Sequence, residues 1–291
     1  MSNRILIIGA TGNNGLATLN ALFSKQDSNV IVRAAVRSQQ KADELAQRYP
    51  TIETVILDLD KPETLPAALV NVSKVFIIPG NVENRAQHAK SVIDAAKNSG
   101  SVEHVVLYSV VGAEWEAILF AKQFREAEKY LEASGLAWTH LRTIWFQDNF
   151  FGWAEGIKNG QFYFGVRDGL FAPLNVGDIG EIAANILTRE GHENKAYNIT
   201  GPELLSGQQL ADEFSIVTGK PVQYVSPPEE ATLASLIGAG WPEWQAKGIV
   251  ELFEVFASNQ AAVVTEDGAN LLGRPLTTFK QFVESNKAAF V

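Results

Sequence analysis

Residues 5–15 read Ile5-Leu-Ile-Ile-Gly9-Ala-Thr-Gly12-Asn-Asn-Gly15. Four apolar residues run into a glycine, and two more glycines follow at intervals of three. The next stretch, Leu16-Ala-Thr-Leu-Asn-Ala-Leu-Phe23, spaces its apolar residues as a helix does. The pattern is a strand, a tight turn and a helix. Such a turn aims backbone N–H groups and the positive end of the helix at a pyrophosphate. Gly9 permits the turn, Gly12 permits close approach of a ligand, and Gly15 lets the helix pack closely. Thr11, Asn13 and Asn14 lie in the same loop and are expected around the phosphates. The spacing is Gly-x-x-Gly-x-x-Gly rather than Gly-x-Gly-x-x-Gly. Its place between a strand and a helix therefore carries the inference.

The strand–helix alternation continues through the first 145 residues. Strands are expected at 30–36, 54–57, 75–78, 104–108 and 137–141, with helices at 39–48, 62–70, 83–98 and 115–133. Repeated β-α-β units give an α/β fold, a doubly wound parallel Rossmann sheet with ligands at the carboxyl ends of its strands. Beyond residue 145 the pattern changes. Residues 145–171 are rich in aromatic side chains. Residues 172–199 read as a return to the sheet through a strand, a helix at 176–189 and a strand at 196–199. Residues 203–291 are mainly helical, with a strand at 222–225. The expected division is a dinucleotide-binding Rossmann domain over 1–150 and a smaller, mainly helical substrate or lid region over 151–291, of which 172–199 rejoins the sheet.

Composition excludes several classes. The chain has 291 residues, a net charge of −9 and no cysteine. Disulfides, thiolate chemistry and zinc sites built on cysteine are ruled out. The histidines at 88, 104, 140 and 192 are far apart in sequence, and no metal is expected. Clustered cations of the kind that neutralise nucleic-acid phosphates are absent. No window of eighteen apolar residues occurs, and the first apolar run is too short for a signal peptide. The expectation is a cytoplasmic protein with a small-molecule partner and neither nucleic acid nor membrane. A homodimer is compatible with this reading.

The second strand predicts which dinucleotide binds. An acidic residue at its end would meet the ribose 2′-hydroxyl of NAD, and a basic one the 2′-phosphate of NADP. Here the strand runs into Arg37-Ser38, with Lys41 one turn on. A guanidinium fork suits a phosphate and can stack on adenine. NADP(H) is therefore predicted. Arg33, within the strand, is a further candidate. Asp58 and Leu59 end the third strand and are expected at the adenine edge. Ile78, Pro79 and Gly80 end the fourth, where the nicotinamide ribose and pyrophosphate pass.

The residues also resemble a family. Gly9-Ala-Thr-Gly12-Asn-Asn-Gly15, Leu107-Tyr-Ser109, Ser134-Gly-Leu-Ala-Trp-Thr-His-Leu-Arg142 and Trp145-Phe-Gln-Asp-Asn149 are similar to the NmrA-like group of atypical short-chain dehydrogenases. The stretch Gly191-His-Glu-Asn-Lys-Ala-Tyr-Asn198 resembles triphenylmethane reductases. Gly201-Pro-Glu-Leu-Leu205 and Gly273-Arg-Pro-Leu-Thr-Thr-Phe279 resemble the ergot-alkaloid (agroclavine and festuclavine) dehydrogenases. The resemblance covers nearly the whole chain and implies a Rossmann oxidoreductase. Short-chain dehydrogenases usually carry Tyr-x-x-x-Lys on the helix after the fifth strand. Counting back from Glu128 by the family spacing puts Phe120 at the tyrosine position and Phe124 at the lysine position.

That departure restricts the chemistry. Hydride addition to a ketone makes an alkoxide whose conjugate acid has a pKa of about 16. Such a step needs a positioned acid. A quinone gives a phenolate of pKa about 10, which water can protonate. An iminium ion or cationic dye gives a neutral product. The expected activity is an NADPH-dependent reductase acting on a planar conjugated or cationic electrophile: an iminium, a dye or a quinone. The second reading is a non-catalytic NADP(H)-binding sensor or regulator. Ser109 and His88 are the candidate catalytic residues, and Ser109 is also a candidate cofactor contact. Trp145, Phe146, Asn149, Phe120 and Phe124 are candidate substrate contacts, since flat aromatic walls suit a flat substrate. Trp241 and Trp244 start a late helix and either cap that pocket or pack the smaller region.

Overall fold

A computed structural model describes residues 3–25 and 29–291. Contacts divide the chain into two units. One comprises residues 1–114, 121–143 and 176–198, and the other 115–120, 144–175 and 199–291.

In the first unit, strands β1 (Arg4–Ile8), β2 (Ile31–Val36), β3 (Glu53–Ile56), β4 (Lys74–Ile77), β5 (His104–Val110), β6 (Ala137–Thr143) and β7 (Lys195–Ile199) make one sheet. Their order is β3-β2-β1-β4-β5-β6-β7. The pairings from β3 through to β6 are parallel, with Ile5 opposite Val32 on one side and Lys74 on the other. Helices α1 (Asn13–Ser24), α2 (Gln39–Arg48), α3 (Leu65–Ala68), α4 (Arg85–Ser99), α5 (Leu119–Glu132) and α6 (Val176–Thr188) complete the α/β doubly wound arrangement. Strand order reverses between β1 and β4. The carboxyl ends of those strands open the crevice where such sheets bind ligands.

One face of the sheet is buried by alternate strand residues. Leu6, Ile8, Val75, Ile77, Val105 and Leu107 pack with Val92 and Ile93 of α4 and Leu131 of α5. Each such side chain contributes about 1.5–3 kcal/mol when fully buried. Elsewhere in the unit α1 lies against α6. A Cβ on Gly180 would fall 2.4 Å from the Ala17 backbone, so only glycine lets the two helices approach this closely.

Most boundaries fall within one or two residues of expectation, and α2 coincides with it. The helix expected from residue 115 is a correction, because α5 begins at Leu119. Before it come a 3₁₀ turn at Ala113–Trp115 and Glu116 in the left-handed region at φ 51°. That backbone breaks the helical run which the side-chain pattern implied. The strand expected just before residue 176 is also missing; Leu174 makes only an isolated bridge with Phe146.

The second unit contains a parallel pair, Gln161–Tyr163 with Gln223–Val225, and several helices. Its core is aromatic. Phe150, Phe162, Phe164, Phe171, Phe214, Phe279 and Phe290 are essentially without exposed surface. Most of their ring pairs are edge-on or tilted, as opposed ring quadrupoles favour.

Candidate active site

The glycine turn separates its glycines by role. Gly9 has φ 83°, a conformation that L side chains rarely adopt, and its Cβ would lie 2.7 Å from the Ile78 carbonyl oxygen. A Cβ on Gly15 would fall 2.3 Å from the Gly9 oxygen. These two are demanded by the fold. Gly12 is not: its φ is −80°, and the nearest atom to its Cβ would be 3.5 Å away. The room it leaves lies on the open side of the turn, where Thr11, Gly12 and Asn13 are exposed. No side chain caps α1, and no acidic residue stands in its first turn. Unoccupied N–H groups, the positive helix end and space for close approach fit a pyrophosphate.

Arg37 and Ser38 follow β2 and are exposed. Ser38 caps α2 by accepting from the Lys41 amide at 3.3 Å. Among the described residues the Arg37 guanidinium makes no ion pair, so it is available to an anion. Two neighbouring cations are committed elsewhere. Lys41 pairs with Glu44 at 2.6 Å. Arg33 pairs with Glu53 and donates to the carbonyls of Ala68 and Val70. The Arg33 candidacy is therefore withdrawn. Asp58 accepts from the Asp60 amide and shapes its own loop, with Leu59 half-buried beside it. Pro79 and Gly80 are half-buried at the end of β4, and a Cβ on Gly80 would meet nothing within 4 Å.

His88 is corrected by its partners. Only 6% exposed, its Nε2 lies 3.0 Å from Asp60 Oδ1 and 3.0 Å from the Asn84 amide. It fastens the loop after β3 to α4, a structural task.

The carboxyl ends of β5 and β6 carry two arrangements that sequence reasoning missed. In the first, the Tyr108 and Thr143 hydroxyls lie 2.5 Å apart, and the Asn14 side chain also bonds Tyr108. The Tyr108 ring meets Phe124 edge-on at 6.3 Å between centroids. The Arg85 guanidinium stands over the same Phe124 ring at 5.0 Å and reaches the Val82 carbonyl and the Asn81 side chain. Burial pushes the Tyr108 phenol far above its usual range, against the opposing pull of Thr143, Asn14 and Arg85. Burial also lowers Arg85 to about 10, which leaves it a cation at neutral pH.

The second arrangement lies behind Ser109. Arg142 donates to both oxygens of Glu128 at 2.8 Å, and to Glu114 at 2.9 Å. Arg125 joins Glu128 to Glu132, which accepts from or pairs with His140. Burial alone would raise the Glu128 carboxyl, but Arg142, His140 and Ser109 outweigh it and hold it below its usual value. The Ser109 hydroxyl is fully buried beside this carboxylate without a hydrogen bond of regular geometry. It stands under the strand end rather than at a ligand surface, against its expected role. Glu128, Glu132 and His140 are close enough to share a cation. The carboxylates of that group already accept from Arg125 and Arg142.

Both arrangements had a sequence signal. Arg85 continues the buried stripe Ala89, Val92 and Ala96 backwards by one turn. Glu128 stands on the buried stripe Ala121, Phe124 and Leu131. A charge on an apolar stripe needs a partner or a task.

The aromatic candidates separate. Phe124 is buried in the first unit between Arg85 and Tyr108, which removes it as a direct substrate wall. Phe120 belongs to the second unit, edge-on to Trp244 at 6.4 Å and against Gly248. Trp145 is 9% exposed, inside a ring cluster with Phe150, Trp153, Phe164, Phe253 and Phe256. Its indole N–H is buried without a partner. Phe146 and Asn149 flank it, both half-buried.

Comparison with known proteins agrees with this geometry. The model of the NmrA-like family matches residues 1–283. The NAD(P)H azoreductase of Xenophilus azovorans is 34% identical over 288 residues, 98% of this chain and 99% of the relative. The Escherichia coli NADPH-dependent quinone oxidoreductase complexed with NADPH superposes with a TM-score of 0.89. It is 29% identical, and the match covers 97% of this chain and 99% of that one. The Citrobacter sp. triphenylmethane reductase complexed with NADP(H) gives 0.88 at 28% identity, over 97% and 99% of the two chains.

Proposed function

This chain belongs to the NmrA-like family, and we propose that it is an NADPH-dependent reductase delivering hydride to planar conjugated electrophiles that need no acid from the protein. The named oxidoreductases among its relatives, two of them with NADPH or NADP(H) bound, support the enzyme class and the cofactor. The glycine turn would hold the pyrophosphate, and Arg37 with Ser38 the 2′-phosphate. Asp58 and Leu59 would border the adenine, and Ile78, Pro79 and Gly80 the ribose. When bound, NADPH supplies a hydride at nicotinamide C4. The protein's contribution is orientation and exclusion of water.

One observation carries the acceptor class. The hydroxyls at the ends of β5 and β6, those of Tyr108, Ser109 and Thr143, are all buried. Phe120 and Phe124 stand where the spacing count puts a tyrosine and a lysine. Buried in this way, these three hydroxyls offer a ketone no proton, whereas a quinone or a cationic dye needs none before leaving.

NADPH oxidation should be followed with a benzoquinone, an azo dye, a triarylmethane dye and cyclohexanone. The quinone and at least one dye should be reduced, and cyclohexanone should not. Ketone turnover at a comparable rate sinks the acceptor class. Tight NADPH binding with no turnover of any acceptor sinks the reductase reading and leaves the regulator.

A further inference from the structure

We propose that Arg85 sets the charge class of the acceptor, favouring neutral acceptors that become anionic over acceptors that are already cations. The inference rests on the reductase reading above and narrows it to quinone-type substrates.

Arg85 opens α4, just after the loop that leaves β4. Its guanidinium lies over Phe124, whose ring meets Tyr108 at the end of β5. Tyr108 in turn bonds Asn14 in the first turn of α1. This line of residues runs from α4 to the glycine turn, across the carboxyl ends flanking the strand-order reversal. Sheets of this kind bind ligands there, and the nicotinamide half leads away from the adenine side at β2 and β3. A positive charge is thus fixed beside the place where hydride transfer would occur. It is only 4% exposed, and three of the groups it touches are the uncharged Val82 carbonyl, Asn81 amide and Phe124 ring. Being shielded from water, its field is weakened little and needs no rearrangement during the reaction.

The two acceptor classes respond to that field with opposite sign. A neutral quinone accepts one hydride, which is a proton carrying two electrons, and becomes a hydroquinone monoanion while NADP⁺ is left. Negative charge grows on its oxygen in the transition state, and water later supplies the second proton. A triarylmethane cation gains the same hydride at its central carbon and becomes neutral, with no further proton. Its positive charge must first be brought towards Arg85. A unit charge about 10 Å from the reacting atoms, at an effective dielectric of about 20, changes a rate by on the order of tenfold.

The test compares the wild type with Arg85→Gln and Arg85→Lys, with NADPH affinity and thermal midpoint recorded for each. The ratio of kcat/KM for a neutral benzoquinone to that for a cationic triarylmethane dye should fall about tenfold or more in Arg85→Gln. Arg85→Lys should restore most of that ratio. A structural role alone would lower both acceptors together. A second readout uses no turnover. With both proteins saturated with NADP⁺, bound 4-nitrophenol should titrate about one pH unit lower in the wild type than in Arg85→Gln. An unchanged acceptor ratio, an unshifted phenol or no saturable phenol binding overturns the proposal. If Arg85→Gln does not fold, Arg85→Met, which removes the charge and keeps an apolar stem over Phe124, carries the same two comparisons. If no acceptor is reduced while NADPH binds, the reductase reading fails by itself, and the phenol titration judges Arg85 separately.

Discussion

In the first unit the end of β6 is fastened by charge. Arg142 lies 2.8 Å from both oxygens of Glu128, and Glu128 is wholly buried. In the second unit Phe150 is equally buried, and six other rings have their centroids within 6.5 Å of its own. The charged pair works in one geometry only, because each buried charge needs its opposite at hydrogen-bond distance. The rings tolerate small shifts, because dispersion and burial have little direction. Placement of buried charge therefore belongs to the first unit, and bulk apolar shape to the second.

The largest effect should come from breaking the charged pair. Glu128→Leu leaves Arg142 buried without its main counter-charge and should cost about 3–5 kcal/mol in urea unfolding. Adding Arg142→Met should recover most of the loss; a double variant as unstable as the single one would break the contrast. The pair also fixes an acid limit. The folded Glu128 carboxyl is held below its ordinary 4.5. Its stabilisation is full above that pH and is lost as pH falls through the lowered folded value. Next comes the aromatic core. Phe150→Ala should cost about 3 kcal/mol or more, but Phe150→Leu only about 1. A leucine variant as damaged as Glu128→Leu would show that the rings are as directional as the ion pair. The smallest effect on stability, close to none, is expected from Arg37→Asp. Being exposed, it should leave unfolding unchanged while shifting the preference for NADPH over NADH by about tenfold or more, measured by cofactor titration.

Much of this was readable in the sequence because it is local. The glycine turn, the bounds of α2 and the alternation of strands and helices all follow from spacing within a dozen residues. The start of α5 was not readable, since the pattern from Trp115 onward suits a helix, and the left-handed Glu116 with the non-helical residues 117 and 118 interrupts it. Nor was the pairing of Arg85 with Phe124 and Tyr108, which joins α4, α5 and β5. Ser109 shows the limit most clearly. Its strand follows from the apolar run, and the buried stripe of α5 marks Glu128 as a charge in need of a partner, but nothing local in the sequence brings the two together.

The helix α6 and the strand β7 come late in the chain and yet complete the first unit. Gly180 in α6 lies against Ala17 in α1, and Lys25 reaches Asn185 across 160 residues of sequence. During synthesis the glycine turn would emerge early, with its helix unclamped and the β6 edge unpaired. A gene fragment stopping at residue 150 would therefore encode all three glycines of the turn and still lack α6 and β7. The first unit is complete in sequence only at residue 198, by which time much of the second unit's aromatic stretch has already been made.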